Sequence, residues 1–102
     1  MSAPPLLARA AHSRLNGEIT SAGSLISETI HEIKENFTNQ DQQDNRLEIT
    51  IRYNGNNVSE EVAKNRGEDI SAKLKDAGII MDIKINYVKA TGDLISITSE
   101  PK

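Results

Sequence analysis

Few residues in this chain have chemistry to offer. His12 and His31 lie in or near one N-terminal helical stretch, and neither has a second His or a Cys at metal-ligand spacing. His31 falls off the centre of its helix's apolar stripe and reads as a surface residue. Cysteine is absent, which removes thiolate nucleophiles, disulfides and thiolate zinc sites. Ser and Thr are plentiful, but no Ser-His-Asp arrangement and no Gly-rich phosphate loop can be drawn from their spacing. With 15 acidic residues a chance pair of carboxylates says little. The chain therefore reads as a non-enzyme, with no cofactor and no metal.

One constellation could bind. Asn54, Gly55, Asn56 and Asn57 form a turn whose backbone N–H groups could face an anion, and Arg66 follows on the next helix. An Arg can grip a carboxylate with two parallel hydrogen bonds. The plainer reading of Arg66 is a stem that covers apolar surface while its guanidinium reaches water.

The elements that must position these residues run from 47 to 88. Leu47, Ile49, Ile51 and Tyr53 alternate with Glu48, Thr50 and Arg52, the period of a strand buried on one face. After the turn, Val62, Ala63, Arg66, Gly67, Ile70, Leu74 and Ala77 line one side of a helix. Asn57 and Glu60 are placed to cap it and Gly78 to end it. Gly67 inside that helix points to close approach by a neighbour. Ile79, Met81, Ile83, Ile85 and Tyr87 then alternate as a second strand, and Leu94, Ile95 and Ile97 make a third. Upstream, Ile19, Ala22, Ile26, Ile30, Ile33 and Phe37 step by three or four as an amphipathic helix, with Ser21 or Ser24 to cap it. The wholly polar stretch 38–45 reads as a solvated loop.

At 102 residues, 36% of them hydrophobic, the chain fills one small core. Residues 1–15 read as a flexible segment, or one that orders on a partner, and 16–102 as a single domain. The net charge of −3 and pI near 5.3 argue against nucleic acid and against a polybasic membrane contact. One Phe, two Tyr and no Trp leave little for base stacking. No membrane span and no cleavable signal stands out, so the chain reads as cytoplasmic or as part of an assembled particle.

The economical assembly is α+β, a two-layer α/β sandwich of order αβαββ: a three-stranded mixed sheet with two helices on one face. The strands flanking the central helix should be parallel. The short loop at 90–93 should make the last two strands a hairpin, which places the second strand in the middle.

The stretch 47–88 resembles part of the OmpA-like domain, which associates with peptidoglycan. In that family a strand ends in a Thr-Asp turn, and a helix of pattern Asn-x-x-Leu-Ser-x-x-Arg-Ala ends in Gly-Ile before the next strand. Here Val62 and Ala63 stand at Leu-Ser, Arg66 and Gly67 at Arg-Ala, and Gly78 and Ile79 match directly. The resemblance implies a peptidoglycan-peptide binder with Arg66 at the ligand, to which the turn of Asn54, Asn56 and Asn57 would add its backbone donors. The turn Asp is absent, so Glu60 or Glu61 would have to meet the ligand's amine. The small α/β ring-building modules of secretion systems are similar in their helix-Gly-Ile-strand unit.

The leading expectation is a non-catalytic assembly module of a phage, secretion or envelope complex. It would bind a protein partner or itself by edge-strand pairing through Leu94, Ile95 and Ile97, with Leu6 and Leu7 as a second contact. The peptidoglycan binder is the alternative.

Overall fold

A computed structural model describes residues 22–56 and 58–102. Helix α1 spans Gly23–Asn36. Its three-and-four spacing buries Leu25, Ile26 and Ile33, and Ala22 and Phe37 at its two ends join the same core. Ala22 occupies the N-cap without a side-chain cap bond, so Ser24 does not serve there. Ile19 and Ser21 lie outside the described residues.

The polar stretch after α1 is not a loop. It forms a short helix, α2, over Asn39–Asp44. A reciprocal cap starts it: Thr38 Oγ1 accepts from Asp41 N–H at 3.0 Å, and Asp41 Oδ2 accepts from Thr38 N–H at 2.9 Å. Gln42 is buried beneath, where its Oε1 accepts from Ile80 N–H at 2.9 Å. That bond satisfies a backbone donor in the segment leading to the second strand.

Strand β1, Asn45–Tyr53, is the spine of the sheet. Leu47, Ile49 and Ile51 are each 0% exposed. Full burial of such a side chain is worth about 1.5–3 kcal/mol. Strand β2, Asp82–Lys89, pairs with β1 in parallel, with Ile49 beside Ile85. Strand β3, Leu94–Pro101, pairs with β1 antiparallel, with Ile49 beside Ile97. The sheet order is β2-β1-β3.

This order corrects the expected hairpin. The last two strands are not neighbours, and β1, not β2, lies in the middle. Parallel pairing leaves Lys89 beside Tyr53, and β3 begins beside Arg52 at the same end of the sheet. Loop 90–93 straddles the end of β1 there. Two strand spacings are about 10 Å, within reach of four residues. Ala90 N–H donates to Tyr53 C=O at 2.8 Å, and Asp93 Oδ1 accepts from Asn54 N–H at 3.0 Å. The crossing is thus pinned on both sides. It also puts the most deeply buried strand in the centre and leaves Asp82, Lys84 and Lys89 on an edge.

Helix α3, Glu60–Asp76, connects β1 to β2 and packs against both. Its cap is Ser59, whose Oγ accepts from Val62 N–H at 3.2 Å; Asn57 lies outside the described residues. Ala63, Gly67, Ile70 and Leu74 face the core, while Val62 is exposed. Gly78 ends the helix at φ +90°. Gly78 N–H reaches Lys75 C=O at 2.9 Å and Ile79 N–H reaches Leu74 C=O at 3.1 Å, the two bonds of a Schellman stop.

Gly67 has a reason in space. A Cβ there would fall on the Tyr87 hydroxyl and lie 2.9 Å from its Cζ. The Tyr87 hydroxyl also donates to Lys64 C=O at 3.3 Å, which holds the ring over the bare helix backbone. In an open helix Gly→Ala gains about 1 kcal/mol. Here Gly67→Ala should instead lose about 1–3 kcal/mol through overpacking. In a Tyr87→Ser background the same change should turn neutral or favourable, read as a double-mutant cycle by urea unfolding.

Candidate functional site

The turn after β1 spends its donors internally. Asn54 N–H goes to Asp93 Oδ1, Asn56 N–H to Asn54 Oδ1 at 2.8 Å, and Gly55 N–H to Val58 C=O at 3.1 Å. Gly55 reaches this conformation at φ +85°, which a residue with a side chain adopts only under strain. No backbone donor of residues 54–56 is left for an anion.

Arg66 is engaged as well. Its Nη1 lies 3.2 Å from Asp69 Oδ2, and the same carboxylate oxygen takes Lys73 Nζ at 3.1 Å. Arg66 stands six residues after Glu60, about 9 Å along the helix axis. Glu60 accepts from the Tyr53 hydroxyl at 3.2 Å and pairs with Lys64 at 3.8 Å. These contacts hold the end of β1 to the start of α3 without joining Arg66 and the Asn54 turn in one anion site.

The third strand is arranged differently. Ile95 and Ile97 are 2% and 1% exposed, so their side chains serve this chain's own core; Leu94 is half-buried on the opposite face. Leu6 and Leu7 lie outside the described residues. What β3 offers is its backbone. Lys102 N–H donates to Asp44 C=O at 3.0 Å, in register with the β1–β3 ladder. Ladder alternation then turns the backbone groups of Leu94, Ser96, Thr98 and Glu100 toward β1. Those of Ile95, Ile97 and Ser99 point outward. The outward place at 101 holds Pro101, which has no N–H to lose. The bond from Ala90 N–H to Tyr53 C=O agrees: odd residues of β1 face β2, and even ones face β3. Among the described residues no backbone partner meets the outward groups of β3.

The sheet face away from the helices is polar and matched within itself. Glu48 lies between Lys84 Nζ at 3.8 Å and Asn86 Nδ2 at 3.1 Å. Arg46 Nε lies 3.4 Å from Glu100, Lys102 Nζ 3.0 Å from Asp82, and Arg52 Nη1 3.4 Å from Ser96 Oγ. Such surface pairs add little stability, but they leave no run of one charge to select a ligand. His31 is exposed. Among the described residues no three His, Cys, Asp or Glu gather as a metal site, and no helix is long and apolar enough to cross a membrane.

No family model matches the chain, and neither the curated proteins nor the solved structures contain a match to it.

Both tyrosine hydroxyls are held above the ordinary value of 10.0. Burial is the larger cause at Tyr53, followed by the hydrogen bond and charge of Glu60; at Tyr87 it is burial, then the charge of Glu68. The fold therefore favours the neutral phenols. Their contribution is intact below pH 10 and is lost as pH rises through the raised values. The urea midpoint should fall on the alkaline side of pH 10, and less steeply in Tyr53→Phe, which keeps the ring and cannot ionise.

Proposed function

We propose that this chain is a non-catalytic assembly module that accepts a strand from another chain along the outer edge of β3. The observation that carries this reading is the edge itself. Leu94, Ile95, Ser96, Ile97, Thr98 and Ser99 run without a charge, a Pro or a Gly, and three of them turn N–H and C=O outward. Sheet edges are ordinarily blunted by Lys, Pro or bulges, and this one is not until Glu100 and Pro101. The other edge, β2, is guarded by Asp82, Lys84 and Lys89. An added strand would gain main-chain hydrogen bonds, each worth about 0.5–1.5 kcal/mol net. A place in a phage, secretion or envelope complex fits such a module.

Binding of peptidoglycan peptide through Arg66 and the Asn54 turn is the weaker reading, because those groups are already engaged within the chain. A muropeptide titration that shifted the amides of 54–56 and 66 would restore it.

The strand-addition reading is tested in the cells that make the protein. A photoreactive side chain at Ser96 or Thr98 should cross-link to a protein chain, and one at the exposed Lys75 of α3 should give little product. Product from position 75 with none from 96 or 98 would reject it. Thr98→Lys should abolish the β3 products while shifting unfolding by no more than about 0.5 kcal/mol, since the new Lys lies beside Glu48.

A further inference from the structure

We infer that the strand added to β3 is β3 of a second copy, paired antiparallel about a two-fold axis through Ile97. This rests on the strand-addition reading above and names its partner. The argument is register. Antiparallel pairing joins outward-facing residues to outward-facing residues. Centred on Ile97, the ladder sets Ile97 against its own copy and Ile95 against Ser99 of the other copy, in both directions. Three residue pairs then exchange six hydrogen bonds, and every outward N–H of β3 from Ile95 to Ser99 is used. Sliding by two residues one way brings Pro101, which has no N–H, into the ladder. Sliding the other way brings in Asp93, which lies outside the strand and is held by Asn54 N–H.

Side chains agree with the same register. On the helix-covered face isoleucines meet isoleucine or Ser99. On the open face Ser96 meets Thr98, and Glu100 meets Leu94. No like charges oppose each other, which antiparallel neighbours require. The self-pairing is isologous, so it closes at two copies and spares both β3 edges from further growth. The product is a continuous six-stranded sheet with a charged β2 at each outer edge.

The chain has no Cys, so introduced thiols report cleanly. In this register Ser96 and Thr98 of different copies form a close, non-hydrogen-bonded pair, within disulfide reach. Two Ser96 residues sit diagonally, about 7–8 Å apart. Oxidising a mixture of full-length Ser96→Cys and Thr98→Cys should give a disulfide-linked dimer in at least about tenfold greater yield than either variant alone. Light scattering on the unmodified chain should give the mass of two copies. Dimer from Ser96→Cys alone would place the axis on Ser96 and overturn the inference. So would a one-copy mass at every concentration with no cross-link in the mixture. In that last case, photoproducts at 96 and 98 with a different protein would leave strand addition standing. Their absence would remove both.

Discussion

Everything in this fold depends on covering β1 from three sides: a strand on each flank and helices over its apolar face. Leu47, Ile49 and Ile51 have no exposed area, and they lie under helices and between two strands. A strand this apolar at a sheet edge would leave a hydrophobic, unpaired ladder in water. The chain avoids that by running α3 across to a parallel β2 on one side, then carrying loop 90–93 over the end of β1 to build β3 on the other. The bonds from Ala90 to Tyr53 and from Asn54 to Asp93 are the clasp of that crossing. The two edges differ: β2 carries Asp82, Lys84 and Lys89, and β3 carries a plain backbone from Leu94 to Ser99.

The amide and carboxylate groups near the turn now read as structural. Asn54 closes its own turn, Asp93 caps it from the far loop, and Glu60 receives the Tyr53 hydroxyl. Each satisfies a polar group that the crossing would otherwise strand. The polar sheet face pairs Glu48 with Lys84, Arg46 with Glu100 and Asp82 with Lys102, which leaves the outward main chain of β3 as a row of groups with no partner among the described residues.

Local periodicity made most elements legible. The alternation through 47–53 and the three-and-four steps through 62–74 name a strand and a helix without help. Gly67 and Gly78 announce a close approach and a helix stop. Strand order was not legible from loop length, because four residues serve a hairpin and a one-strand skip equally well. Charge does not separate the two candidates either: β2 has three charged residues in eight and the central β1 three in nine. Helix α2 hid because its capping box uses Asp41 where Glu or Gln is usual. Arg66 and Asp69 stand i,i+3 on the helix, a spacing that by itself weighs against a free guanidinium and that the reading of Arg66 as a ligand group left out. Of Leu94, Ile95 and Ile97, which the sequence offered as contact residues, two have side chains in the chain's own core.

The most direct test of the open β3 edge is amide exchange along β3 at high dilution. Ser96, Thr98 and Glu100, bonded to β1, should be protected, while Ile95, Ile97 and Ser99 exchange almost freely. The latter three should gain protection as the chain is concentrated. Uniform protection along the strand at a dilution where light scattering gives the mass of one copy would contradict the account, because the same chain would then already cover that edge.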